Sequence, residues 1–129
     1  MSRTPLLREL CGPEFALYSG DDATGCDFML QGGDGVISVT TNIAAAQMAD
    51  MCRAALAGDA GQAHDINNLL MPLHKTLFCE PSPTPVKWAC AQLGLIATAT
   101  LRLPLVDLTP EGEQLMARAL TTAELMASV

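Results

Sequence analysis

Two groups of polar residues follow short apolar runs and could face a substrate. Gly20, Asp21 and Asp22 come directly after the apolar run of residues 15–18, and residues 40–42 close a second, β-branched run. Continuous apolar runs of this length are typical of buried parallel strands. Because the carboxyl ends of parallel strands share one edge of the sheet, and αβ folds bind substrates at that edge, we expect a substrate to meet these residues there.

The elements that position these residues form a strand, a helix and a second strand. Helical spacing of apolar residues predicts a helix that ends at Leu30. An alternative role for the two aspartates is to cap this helix, and we assign the cap to Asp22. Gly32 and Gly33 end that helix, and the β-branched run at 36–41 predicts the second strand. This order is the βαβ crossover of a parallel α/β barrel.

Length limits how much of a barrel the chain can hold. A complete (β/α)8 barrel, the TIM barrel, needs about 250 residues, and this chain has 129. The sequence therefore predicts an α/β fold with at most a quarter of the barrel, and a mostly helical remainder.

The second half of the chain is predicted to be helical. Apolar spacing predicts helices at 44–56, at 60–71 with a continuation past a proline to residue 78, at 86–93 with Trp88 as its largest anchor, and at 111–123 with Thr109 as its cap. A proline-rich connector, 81–85, separates the second from the third, and an extended apolar strap occupies 101–105. We expect two domains, a partial barrel over residues 1–58 and a carboxyl-terminal helical extension over residues 59–129.

Composition excludes several classes of function. The formal net charge is −7 and the pI about 4.5, whereas nucleic-acid surfaces need clustered lysines and arginines, so no nucleic-acid partner is expected. The sequence has no apolar run of 18 residues and no secretory signal pattern at its start, which predicts a cytoplasmic protein that does not bind a membrane.

Metal and cofactor motifs are also missing from the sequence. Five cysteines occur without a C-x-x-C pair, so we expect buried free thiols. His64 and His74 do not have the spacing of a helical metal motif and are expected to be surface or core histidines. Glycines 32, 33 and 35 precede a strand and are expected in turns, because a phosphate-binding loop precedes a helix. No metal and no cofactor is predicted.

Three stretches resemble the carboxyl-terminal part of the bacterial 4-hydroxy-tetrahydrodipicolinate synthase (dihydrodipicolinate synthase) family. They are LYSGDDATGCDFMLQGGDGVISVTTN, LLMPLHKTLFCEPSPTPVKWACAQLGLI and TLRLPL, which occur in the family's order and spacing. The resemblance implies the last two βα units of a TIM barrel followed by a helical extension, in enzymes that are usually homotetramers. Such enzymes are lyases that condense pyruvate with aspartate 4-semialdehyde through a lysine Schiff base, in lysine and diaminopimelate biosynthesis.

The same resemblance assigns the site residues. Gly20 and Asp21 match the loop beside the active cavity, and Ile37 matches the strand residue near bound pyruvate. The Schiff-base lysine of the family lies upstream of the matched region, and neither Lys75 nor Lys87 corresponds to it. We therefore expect no catalytic residue in this fragment and no activity from it alone.

Two alternatives remain open at this point. The chain could be a non-catalytic interaction partner or decoy of the full-length synthase, or it could be one half of a split pyruvate aldolase whose other chain supplies the lysine. In each case two strands without neighbours would expose open edges and apolar faces, with Phe15, Leu17, Val36 and Val39 among them, and the isolated chain would aggregate, oligomerise or repack.

Overall fold

The computed structural model describes residues 3–125, and helices predominate in them. In chain order the elements are α1 (Thr4–Cys11), β1 (Tyr18–Ser19), α2 (Asp22–Leu30), β2 (Gly35–Val36), a 3-10 turn (Thr40–Asn42), α3 (Ala45–Leu56), α4 (Ala60–Thr76), α5 (Thr84–Gln92) and α6 (Pro110–Thr122). The chain forms two compact units, the first from residues up to 38 with 46–68, and the second from 39–45 with the residues from 69 onward. The domain division expected at residue 58 stays a prediction.

The first unit contains the predicted strand–helix–strand. β1 and β2 pair in parallel, with Tyr18 opposite Gly35 and Ser19 opposite Val36, and α2 packs against both strands. The parallel crossover is therefore confirmed. Each strand has two residues, so the prediction of a second strand through residue 41 was wrong. A two-stranded ladder is marginal without further partners, which accounts for its short length.

Helix α2 begins at an aspartate cap. The Asp21 carboxylate accepts hydrogen bonds from the Thr24 amide (3.0 Å) and the Thr24 hydroxyl (2.6 Å). Asp22 is the first helical residue and is buried, so the assignment of the cap to Asp22 was wrong. The chain leaves the helix through Gly32, whose φ of +98° is a left-handed conformation that glycine adopts without strain.

An arginine that the sequence analysis did not assign joins the amino ends of both strands. Arg8, in α1, donates to the carbonyls of Phe15 (2.7 Å) and Gly32 (2.8 Å) and to Asp34 Oδ2 (2.8 Å). The same Asp34 oxygen accepts from the Leu17 amide at 2.7 Å. One guanidinium and one carboxylate thus fix the segments that enter β1 and β2.

This pair predicts a loss of stability in acid. The Leu17 amide, followed by the Arg8 guanidinium, holds the pKa of the Asp34 carboxyl below its ordinary value. A carboxyl with a lowered folded-state pKa stabilises the fold above its unfolded pKa, about 3.9, and loses that contribution as the pH falls through the folded pKa. We expect the melting temperature of Asp34→Asn to be lower than wild type at pH 7, with the gap closing below about pH 4. An Asp65→Asn control, at an exposed position of α4, should follow wild type throughout; a gap that persists at pH 2 would contradict the role of the charge.

The second unit is built on α5 and α6, which pack against each other. The Thr109 hydroxyl accepts from the Gly112 amide at 3.1 Å, so the predicted cap is confirmed. Its backbone amide donates to the Glu80 carboxylate at 3.2 Å. Trp88, which was predicted to be the largest anchor of α5, is half-buried. The fully buried side chains of this unit include Leu70, Leu73, Leu77, Met116 and Leu120.

Helix α4 continues through Pro72 to Thr76, as predicted. Near its end, His74 is 2% exposed and lies 2.8 Å from the Thr40 hydroxyl through Nδ1. The prediction of a core histidine is confirmed for His74. Within residues 3–125, no helix has the length and apolar character needed to cross a membrane.

Candidate functional site

The parallel register brings three of the predicted site residues to one edge of the small sheet. Gly20 and Asp21 follow β1, and Ile37 follows β2. The Ile37 amide donates to the Ser19 carbonyl at 2.8 Å, which fixes the two strand ends side by side. The amino edge carries the Arg8–Asp34 pair described above. In parallel αβ folds, such a division places stabilising groups at the amino ends and substrate-facing groups at the carboxyl ends.

Asp21 is held in a fixed position at this edge. Its carboxylate accepts from the Thr24 amide and hydroxyl, and its amide donates to the Ser19 hydroxyl oxygen at 3.2 Å. Gly20 and Asp21 are both exposed. The carboxylate therefore stabilises the start of α2, while the exposed Gly20 backbone is free of a side chain and open to close approach by a ligand.

Ile37 is a predicted site residue with a strongly exposed apolar side chain. Its side chain is 74% exposed, and Tyr18 on the neighbouring strand is 59% exposed. Parallel strands in αβ folds are normally buried on both faces. Apolar side chains this exposed on a parallel pair indicate a surface that other elements normally cover.

Residues 40–42 do not form the strand end that the sequence analysis expected. They make a 3-10 turn, and the Thr40 side chain is fully buried against His74. The expectation that Thr40 faces a substrate was wrong, because its hydroxyl is hydrogen-bonded to His74 inside the second unit. A buried histidine 34 residues away leaves no local signal in the sequence.

The two lysines lie on helices, as expected. Lys75 is near the end of α4, and Lys87 is in α5, where its ammonium donates to the Thr100 carbonyl. A Schiff-base lysine requires an amine that a carbonyl substrate can reach in a confined site. Neither position is on β1 or β2.

The cysteines are free thiols, and they are less buried than predicted. Cys26 is buried, Cys52 and Cys90 are half-buried, and Cys11 and Cys79 are exposed. The expectation of buried thiols is thus confirmed for Cys26 alone. Burial is the largest of the effects that raise the pKa of Cys26, Cys52, Cys79 and Cys90. A nucleophilic cysteine needs a lowered pKa, so these thiols do not indicate covalent catalysis.

A cavity of about 310 Å³ lies in the second unit. Trp88, Asp107 and Glu113 are among its lining residues. It contains none of the predicted site residues, and its two carboxylates give it an acidic wall. The cavity therefore does not extend the candidate site at the sheet edge.

Comparison with known proteins identifies the family. Residues 1–123 match the model of the Dihydrodipicolinate synthetase family. The chain belongs to this family. It is 54% identical over 127 residues to the 4-hydroxy-tetrahydrodipicolinate synthase of Psychromonas ingrahamii, and 52% identical over 126 residues to that of Escherichia coli O139:H28.

Solved structures of the dihydrodipicolinate synthase family share the fold of this chain. The chloride-inhibited enzyme of Acinetobacter baumannii, complexed with pyruvate, is 45% identical with a TM-score of 0.88, over 95% of this chain and 42% of that one. The enzyme of Aquifex aeolicus is 37% identical with a TM-score of 0.91, over 96% and 42%. The resemblance seen in the sequence is thereby confirmed, and so is an α/β fold shared with part of a dihydrodipicolinate synthase.

The match covers nearly all of this chain and less than half of each relative. It includes 98% of the chain and 43% of the Psychromonas ingrahamii and Escherichia coli synthases. This chain thus spans about 43% of the length of the curated relatives it matches.

Proposed function

We propose that this chain is the carboxyl-terminal portion of a 4-hydroxy-tetrahydrodipicolinate synthase, comprising the last two βα units of the barrel and the helical extension. The whole enzyme would condense pyruvate with aspartate 4-semialdehyde. The observation that carries the proposal is the parallel β1–β2 pair, which presents Gly20, Asp21 and Ile37 at its carboxyl edge, in a chain 54% identical to a synthase.

The role of this portion is to complete the wall of the substrate cavity. The 74% exposed Ile37 side chain would pack near pyruvate, and the Gly20 backbone would let the substrate approach the loop that Asp21 fixes through its cap. The Schiff base would form on a lysine outside this chain, because neither Lys75 nor Lys87 corresponds to the Schiff-base lysine of the family. The chain alone is inactive under this proposal, and it needs no metal or other cofactor for the condensation.

Exposed apolar side chains of the first unit support the proposal that other parts of the enzyme cover them. Phe15, Tyr18 and Ile37 are 56%, 59% and 74% exposed. Leu17 is 7% exposed, and Val36 and Val39 are half-buried, so the expectation that these three form an exposed apolar face was wrong. We expect the isolated chain to oligomerise or aggregate through exposed apolar side chains such as Phe15, Tyr18 and Ile37.

Trapping with pyruvate and borohydride tests the proposal. The chain alone should give no pyruvyl adduct by intact mass. The amino-terminal portion of the Escherichia coli synthase, expressed separately, should give little adduct alone and more when this chain is added. An adduct on the isolated chain, mapped to Lys75 or Lys87, would overturn the proposal, and so would an amino-terminal portion that this chain does not affect.

Ile37→Asp tests the assigned site residue in the same assay. We expect it to lower adduct formation in the mixture by about tenfold or more, because a misplaced cavity wall costs orders of magnitude in rate. Leu56→Asp, at a 56% exposed position of α3, is the matched control and should retain the stimulation. Equal losses in both variants would show that the charge acts on folding or assembly instead.

A further inference from the structure

One cluster of metal-ligating side chains lies outside the sheet edge. The donor atoms of Cys26, Asp27 and His64 all lie within 4.8 Å of one another. His64 Nε2 is 2.8 Å from Asp27 Oδ1. We propose that these three side chains form a binding site for a divalent zinc-type ion.

Helix α2 and the first part of α4, which both belong to the first unit, hold the donors. Cys26 and Asp27 are in the middle of α2, whose start is fixed by the Asp21 cap. His64 is in the second turn of α4, where the Asp59 carboxylate accepts from the Gln62 amide at 3.0 Å. Donors on capped helices are preorganised, which is the condition for a metal site of useful affinity.

The distances fit a tetrahedral ion. Zinc lies about 2.3 Å from thiolate sulfur and about 2.0–2.2 Å from imidazole nitrogen or carboxylate oxygen, which separates neighbouring ligand atoms by about 3.2–3.7 Å. The three donors lie within 4.8 Å of one another, and the 2.8 Å contact between His64 Nε2 and Asp27 Oδ1 must lengthen by roughly half an ångström for both atoms to bind one ion. The fourth position belongs to solvent.

The donor set selects the kind of ion. Thiolate and imidazole favour zinc, cobalt and copper, whereas magnesium and calcium prefer oxygen ligands alone. On binding, the ion displaces the proton of the Cys26 thiol to the solvent and forms a metal–sulfur bond. The cluster is also accessible, because His64 and Asp27 side chains are 47% and 48% exposed while Cys26 forms its buried floor.

A surface ion pair alone would not need the third donor. His64 and Asp27 can bond to each other whatever residue occupies position 26, and such exposed pairs contribute little to stability. No metal was predicted from the sequence, because Asp27 and His64 lie 37 residues apart and no spacing motif joins them. Residues Cys26 and His64 acquire a shared role through the contact that His64, on α4, makes with Asp27 on α2.

Cobalt spectroscopy on the full chain, without a histidine tag, tests the site. Each chain should bind one Co²⁺ ion and show thiolate charge-transfer absorption and the visible bands of tetrahedral cobalt. Equimolar Zn²⁺ should abolish both spectral features. Asp27→Asn, His64→Gln and Cys26→Ser should each weaken binding on the order of 100-fold or more, since even outer-shell changes cost 10–100-fold. Cys11→Ser, at an exposed thiol of the same unit, is the matched control and should keep the spectrum.

The outcomes separate the site from adventitious binding. No charge-transfer band, a band that survives His64→Gln and Asp27→Asn, or a band lost in Cys11→Ser would overturn the proposal. Circular dichroism checks that each variant folds. The side chains of Asp27 and His64 are half-exposed, so Asp27→Asn and His64→Gln remain informative if Cys26→Ser does not fold. The result does not depend on catalysis, and it therefore stands or falls separately from the proposed function.

Discussion

Leu120→Ala is expected to lower the free energy of unfolding of the second unit by about 2–5 kcal/mol, the range measured for leucine truncation in well-packed cores. Leu120 is fully buried in α6. With Met116, Ala119 and Ala123 it forms a continuous buried stripe at helical spacing. Truncation removes buried apolar surface and leaves a cavity that rigid helices fill incompletely. Urea unfolding followed by circular dichroism measures the change.

Leu115→Ala on the same helix is the matched control. Leu115 is 47% exposed, so its truncation removes half-solvated surface and should cost under about 1 kcal/mol. Both substitutions remove the same atoms and change helix propensity equally. Equal costs at the two positions would contradict the packing of α6 described above and would indicate that the helix is loosely docked.

Periodic segments were the best predicted part of the fold. Helices predicted at 44–56, 86–93 and 111–123 appear as Ala45–Leu56, Thr84–Gln92 and Pro110–Thr122. Local rules suffice there, because apolar spacing, proline at the first turn and a threonine cap act within a few residues. The parallel crossover was also predictable, since a strand, a helix and a second strand joined by short turns allow little else.

Long-range contacts decided what could not be predicted. Helix α1 was not anticipated, and its Arg8 bonds to Asp34, 26 residues away. The buried hydroxyl of Thr40 is hydrogen-bonded to His74. Local patterns predict the helix that carries His74 but do not reveal what this side chain contacts. Backbone conformation decides which aspartate caps α2: Asp21 is extended, as a cap residue must be, whereas Asp22 is already helical.

The candidate site was predictable in part for the same reason. Positions 20, 21 and 37 follow from strand ends and a resemblance, so their shared edge could be expected from the sequence. Whether that edge binds pyruvate depends on residues that this chain does not contain, according to the proposed function. The Cys26–Asp27–His64 cluster is a property of packing between helices and has no sequence signature.

Gly25→Ala is expected to destabilise the first unit through a direct clash with β2. A Cβ at Gly25 would lie 2.6 Å from Val36 Cγ1, which is well inside van der Waals contact. The χ1 torsion of valine is restricted on a strand, so its methyl cannot rotate away freely and we expect the helix to shift from the sheet. Overpacking of this kind costs about 1–3 kcal/mol, which exceeds the roughly 1 kcal/mol that alanine gains over glycine within a helix.

A double-mutant cycle with Val36→Ala isolates this contact. Without the valine methyls, the nearest remaining atom is the Cβ of residue 36, at 3.6 Å from the added carbon, an ordinary contact. Gly25→Ala should then be neutral or stabilising in the Val36→Ala background, with a coupling free energy of about 1–3 kcal/mol in thermal or urea unfolding. Gly61→Ala in α4, where the added carbon meets its nearest atom at 3.6 Å, controls for helix propensity and should not destabilise. Equal costs of Gly25→Ala in both backgrounds would mean that the close approach of α2 to β2 does not limit the residue at position 25.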